Sequence, residues 1–293
     1  MNILISVNEK YLDKAETMLF SLKRNTKEPI VVYLLNRSLS QDKIKRFGQY
    51  LGREGIATLS IVNVDSTFFD AFPLEKQFSI ETYYRILAQF LLPESLKRVL
   101  WLDADIIITK DIEAFYHQSF DGMKYVVCPE KEYPGEYDLW KARIQKERLG
   151  LPDEHVYFNS GVLLMNLALL RKETERDEIL QKCLKLKDAL QFPDQDLLNA
   201  IYFGQVKYAE WKLFNYELLG VKRLPKEDAE RLYILHYTGP HKPWEYQYMN
   251  NTSKYYWKIR CAQGHRLETV KSYVLAAGHL MYMFLRDVKN LLF

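Results

Sequence analysis

The chain has 293 residues, an apolar share of 48% and nearly balanced acids and bases giving a formal net charge of +3, enough for a sizeable core in one large α/β domain or two small ones. That balance excludes the polyelectrolyte character of a bulk nucleic-acid binder. Cys128, Cys183 and Cys261 are odd in number, widely spaced and without C-x-x-C or His/Cys clustering, which fits neither a disulfide framework nor a structural zinc site and points to a reducing cytosol.

In chain order, Ile3 to Val7 reads as a strand; its apolar run lacks a basic leader and is too short for a signal peptide. Ala15, Leu19 and Leu22 share one helical face, and Ile30 to Leu35 forms a second strand. Ser40 caps a helix that turns Ile44, Phe47 and Leu51 inward, and Ala57 to Val64 is a third strand. Ser79 caps a helix from Ile80 to Leu92, ended by Pro93, before the apolar run from Val99 to Leu102. Two alternating periodicities of this kind predict βαβ units, hence a mostly parallel sheet covered on both faces.

Ligands of such sheets bind beyond the carboxyl ends of the strands, which directs attention to Asn8 and to the segment after Leu102. No G-x-G-x-x-G follows the first strand and no G-x-x-x-x-G-K-[ST] occurs, against a dinucleotide dehydrogenase or a P-loop enzyme. In the run Val99 to Ile108, a continuous strand sends Trp101, Asp103, Asp105 and Ile107 to one face. Two carboxylates emerging together repel unless a cation sits between them, and oxygen ligands favour Mg²⁺ or Mn²⁺. A D-x-D also occurs in ordinary turns and helix caps, and the apolar runs on both sides favour the metal reading over that one.

Five blocks then stand in order: Ser79 to Arg85 (SIETYYR), Leu102 to Asp105 (LDAD), Tyr157 to Asn166 (YFNSGVLLMN), Asp194 to Asn199 (DQDLLN) and His236 to Trp244 (HYTGPHKPW). With them the chain, from Met1 to about Trp244, resembles glycosyltransferase family 8, the group of bacterial lipopolysaccharide galactosyl- and glucosyltransferases. The resemblance implies a GT-A fold with a Rossmann-like, mostly parallel sheet flanked by helices, a UDP-hexose donor, Mn²⁺ or Mg²⁺, and transfer with retention. Asp103, Asp105 and His236 correspond to the metal ligands. Ser6, Val7, Asn8, Tyr11, Arg85, Asp103, Ala104, Asn159, Ser160, Gly239 and Lys242 correspond to the nucleotide-sugar site, with Gly239 and Lys242 facing the diphosphate. Asp194 and Gln195 correspond to the residues at the reacting carbon. A glutamine is a poor nucleophile, so front-side attack is expected, with Gln195 stabilising the developing cation and a UDP oxygen taking the acceptor's proton.

The family pattern has Asp where Asn8 stands, and often Asn where Lys10 stands; the Asn8 carbonyl still offers an acceptor to uracil. Glu130 stands near the expected acceptor side, and residues between Glu132 and His155 are expected to cover it as a lid or surface loop. The catalytic domain is drawn at 1–250 and a basic, aromatic helical segment at 251–293. There Val270, Tyr273, Val274, Ala277, Leu280, Met281, Phe284, Leu285 and Val288 recur at helical spacing among Lys254, Lys258, Arg260, Arg266, Lys271, Arg286 and Lys289. Such a helix attaches to an anionic membrane surface or docks on protein. The expectation is a cytoplasmic transferase, peripheral on the inner face of the cell membrane, moving glucose or galactose to a saccharide or glycolipid acceptor. Its rivals are a non-catalytic, stress-associated binding protein of the same fold and, against the missing Gly-rich loop, a sugar nucleotidyltransferase.

Overall fold

A computed structural model describes residues 1–65, 72, 80–130 and 145–292. Seven strands form the main sheet: β1 (Asn2–Ile5), β2 (Ile30–Asn36), β3 (Ala57–Asn63), β4 (Arg98–Leu102), β6 (Tyr125–Pro129), β7 (Phe158–Asn166) and β8 (Val206–Tyr208). A second sheet holds β5 (Ile106–Ile108), β9 (Tyr216–Glu217) and β10 (Ile234–His236). The main order is β3-β2-β1-β4-β7-β6-β8, with only β7 antiparallel to its neighbours; the small sheet runs β5-β10-β9.

Alternation along the strands divides the core between the two faces of the sheet. Ile3, Ile5, Leu100, Leu102 and Leu164 pack with the helices Leu12–Asn25 and Gln41–Arg53 on one side. Leu4, Val99, Trp101, Leu163 and Met165 pack on the other with Tyr83, Leu87 and Leu197. Ser40 caps its helix by accepting from the Lys43 N–H, and Ile44, Phe47 and Leu51 are buried as their spacing requires.

Three expectations need correction. β1 stops at Ile5, ahead of Ser6 and Val7. The helix drawn from Ile80 to Leu92 is a 3-10 stretch over Ile80–Leu87 followed by a single α-turn, Ala88–Leu91; its expected cap, Ser79, lies outside the described residues. The strand through the acidic pair is broken: β4 ends at Leu102, residues 103–105 turn, and β5 leaves for the second sheet. The turn therefore stands where one sheet hands the chain to the other.

The helix Ser253–Ala262 belongs to the body of the molecule, since Tyr256 and Trp257 pack with Ile107, Leu235 and Tyr237. The Trp257 indole donates to the Pro243 carbonyl at 2.9 Å and the Tyr237 hydroxyl to the Thr252 carbonyl at 2.7 Å. From Arg266 to Leu292 one long helix follows. Ala276 is buried and Thr269, Ser272, His279 and Met283 are half-buried, while Leu267, Val270, Val274 and Met281 are exposed. Among the described residues no helix is long and apolar enough to cross a membrane.

Candidate active site

Strand pairing assembles the site. Leu102 pairs with Val162 across the antiparallel β4–β7 ladder, and the Asp103 N–H donates to the Gly161 carbonyl at 3.0 Å. β7 bulges between Asn159 and Leu163 against consecutive β6 residues, Cys128 and Val127. A bulge of this kind re-aims side chains beside a site, and here it carries Asn159, Ser160 and Gly161 past the end of β4. In the small sheet His236 pairs with Ile106, and the Tyr237 N–H donates to the Asp105 carbonyl at 3.0 Å. Residues 133 positions apart in the chain thus share one corner.

Asp103, Asp105 and His236 each offer a ligand atom, all within 4.8 Å of one another. Each carboxylate has one oxygen held from outside. Asp103 Oδ1 accepts from the Trp101 indole at 2.8 Å and forms an ion pair with Arg85 Nη2 at 3.0 Å, while its Oδ2 lies 3.9 Å from His236 Nε2. Asp105 Oδ2 accepts from Lys242 Nζ at 2.6 Å, while its Oδ1 lies 3.3 Å from His236 Nε2. Gly161 closes the corner, because a Cβ there would sit 2.2 Å from His236 Cε1 and 3.0 Å from Asp103 Oδ2. Two carboxylates and one imidazole turned inward against a wall without a side chain fit a divalent cation.

Burial and charge act in opposite directions on the ionisable groups of this corner. Burial works to raise the Asp105 pKa, but Lys242 and His236 together hold it well below the usual carboxylate range. Burial likewise works to lower His236, and Asp105 with Asp103 raises it above its ordinary 6.5. Lys242 is half-buried, and Asp105 raises its pKa against the effect of desolvation. Asp194 moves the other way, raised chiefly by burial and only partly offset by Arg85.

Behind the pair, Arg85 is a buried clamp. It meets Asp194 Oδ2 at 3.2 Å, donates to the Ser160 carbonyl at 2.7 Å and lies over the Trp101 ring at 4.3 Å. The expected phosphate-binding arginine thus faces Asp103, Asp194 and Ser160. The Ser160 hydroxyl donates to Asp194 Oδ2 at 2.9 Å, and the Ser160 N–H donates to Gln195 Oε1 at 3.0 Å. Asp194 and Gln195 open the helix Pro193–Ile201, whose start is held by Asp196. That fully buried carboxylate accepts from Arg148 through both oxygens, from the Tyr157 hydroxyl at 2.6 Å, and from the Gln191 and Phe192 N–H groups.

The Ser6 hydroxyl donates to the Leu35 carbonyl, and Val7 is buried in the core. Asn8 Oδ1 accepts from the Lys10 N–H at 3.1 Å, so the acceptor expected for uracil also caps a turn. Tyr11 meets Trp244 edge-on at 5.9 Å between ring centroids. Ala104 forms the turn between the aspartates, and Gly239 adopts φ +78° against Leu219. Lys242 donates to Asp105 and to the Tyr237 carbonyl. Of the expected lid, residues 131–144 lie outside the described residues; Arg148 is tied to Asp196 and His155 is buried against Asn199. Sequence reasoning missed Trp101 as a donor, Asp196 as an anchor and Asn215, which stands against His236. Asp196 was within reach inside the quoted DQDLLN block, whereas Asn215 lies in no motif.

A mostly parallel sheet flanked by helices, with an acidic turn beyond the carboxyl end of β4 and a second small sheet beside it, is the GT-A fold. The family model described as Glycosyl transferase family 8 matches residues 2–248, and the chain belongs to that family. Among curated relatives, the lipopolysaccharide 1,2-glucosyltransferase of Escherichia coli K12 is 23% identical over 265 residues, covering 87% of this chain and 76% of that one. General stress protein A of Bacillus subtilis is 24% identical over 259 residues, covering 83% and 87%. A solved galactosyltransferase, LgtC, in complex with donor and acceptor sugar analogs, shares the fold with a TM-score of 0.75 at 21% identity, covering 89% of this chain and 96% of that one.

Proposed function

We propose that the chain is a retaining hexosyltransferase that moves glucose or galactose from a UDP-sugar to a saccharide or glycolipid acceptor. The observation that carries this is the convergence of Asp103, Asp105 and His236 within 4.8 Å beside the buried Asp194 and Gln195. The three ligands would hold Mn²⁺, or Mg²⁺, which supplies Lewis-acid neutralisation of the charge growing on the diphosphate. Lys242, already beside Asp105, supplies a further positive charge there. Asp194 orients sugar hydroxyls, and Arg85 holds it against Asp103. Gln195 presents its amide oxygen to the reacting carbon; the Ser160 N–H occupies one lone pair and fixes its direction, leaving the second for the developing cation. Among the described residues no Ser/His/Asp or Cys/His arrangement competes with this reading, and front-side attack needs no separate base.

The same helix that ends the chain supports attachment to an anionic membrane surface on the cytoplasmic side. Leu267 is 88% exposed and Val274 66%, on the side turned away from the body, with Arg266 and Lys271 exposed beside them. An apolar face ringed by cations is what such a surface takes.

A panel of nucleotide sugars, followed by release of nucleoside diphosphate with and without Mn²⁺, tests the reading. Release from one UDP-hexose, abolished by EDTA, is the expected result. Donor binding without turnover on any acceptor would favour a binding protein of the same fold, a reading kept open by the stress protein among its relatives.

A further inference from the structure

Asn215 is fully buried at the end of the short helix Trp211–Phe214, just before β9. Its amide spans two neighbours, donating from Nδ2 to Asn159 Oδ1 at 2.9 Å while Oδ1 lies 2.9 Å from His236 Nδ1. An amide's two ends are ordinarily assigned only by their partners, and here the backbone decides. The Gly161 N–H, a donor by its chemistry, points at Asn159 Oδ1 at 2.8 Å. That atom must therefore be an oxygen. The Asn215 atom facing it must be the NH₂ group, so the other end of Asn215 is an oxygen and can only accept. His236 Nδ1 must then donate.

We infer that Asn215, held by Asn159 and the Gly161 N–H, is a positioning residue that grips the His236 ring through its Nδ1–H, so that Nε2 is the nitrogen turned toward Asp103 and Asp105. A ligating histidine is ordinarily oriented by a partner on its other nitrogen. In this corner that partner is a neutral amide, which leaves the charge of the site unchanged. Three elements meet in the relay: the β7 bulge, the residue before β9, and β10. The consequence for metal binding rests on the ligand reading proposed above; the Nδ1–H contact with Asn215 does not.

The test uses full-length, metal-free protein labelled with ¹⁵N-histidine. His236 is assigned by the signal lost in His236→Gln. A slowly exchanging proton on Nδ1 is expected; an Nδ1 that carries no proton would overturn the inference, whatever any variant does. Asn159→Asp keeps both acceptor roles and should keep that protected proton. Asn215→Leu should lose the protection and weaken Mn²⁺ binding in calorimetry by about 10- to 100-fold. Undiminished affinity in a folded Asn215→Leu protein also overturns the inference. Failure of the wild-type protein to bind Mn²⁺ would instead sink the metal reading and leave the Nδ1–H contact to stand on its spectrum.

Discussion

Gly161 stands so close to His236 that a methyl group on it would lie 2.2 Å from Cε1 and 2.9 Å from Nδ1. The ring is buried and its Nδ1 is held by Asn215, so it can make room only by giving up its place in the corner. Gly161→Ala is therefore expected to displace His236 from the carboxylates. Overpacking of this kind costs about 1–3 kcal/mol, to be read by urea denaturation, and Mn²⁺ uptake should fall at least tenfold in calorimetry. Wild-type affinity in this variant would mean that His236 is not a ligand.

The raised pKa of His236 gives two pH dependences of opposite sign. Its folded value lies above the ordinary 6.5, so its contribution to the stability of the metal-free protein is full below 6.5 and is lost as pH rises through the folded value. A metal must displace that proton, so Mn²⁺ affinity should climb across the same window with release of protons. Calorimetry in two buffers of different ionisation heat measures the release. Proton-neutral binding throughout the window would contradict the assignment.

Asp105→Asn is expected to abolish metal-dependent donor binding while leaving the fold intact, as read by circular dichroism. The substitution also removes the charge that raises both Lys242 and His236. Their pKa values should fall, and the histidine shift is observable by NMR titration. Metal-dependent donor affinity equal to wild type would mean that the cation sits elsewhere.

Asp196 has no exposed surface and is shared by Arg148, Tyr157 and two backbone N–H groups. Asp196→Asn removes the partner of a mostly buried guanidinium. A broken buried pair costs about 3–5 kcal/mol, and the low end is expected because Arg148 keeps some contact with water. Because the same carboxylate secures the start of the helix bearing Asp194 and Gln195, kcat should fall more than donor affinity.

For the tail, the informative truncation falls after His265. Ending the chain near residue 250 would strip Tyr256 and Trp257 from the core and confuse attachment with unfolding. The 1–265 protein should keep its donor affinity and lose sedimentation with anionic vesicles. Equal sedimentation of both forms would remove the membrane reading.

Much of the body was legible because strand and helix periods report local burial. Ile30 to Leu35, the Ser40-capped helix and the core strand from Val162 to Met165 need little beyond their own patterns. The five blocks were legible because a site requires particular residue types at particular places. The details around Asp103 were harder. A strand pattern continues smoothly from Val99 to Ile108, and nothing local says that the chain changes sheets at Ala104. The 3-10 stretch at Ile80–Leu87 was hidden for a similar reason, since helical spacing does not distinguish i+3 from i+4 hydrogen bonding over so few residues.

By itself, then, the sequence determined the family, the kind of sheet and the side chains from which a site could be made. Which atoms of those side chains face one another was decided by tertiary structure alone. The β7 bulge, the crossing from β4 to β5 and the pairing of β10 with β5 join segments separated by up to 133 positions. Hydrogen bonds and charges act over a few ångströms of space, whatever the distance along the chain. That is why Arg85 faces the carboxylates, and why His236 takes its orientation from Asn215, a residue that no motif marks.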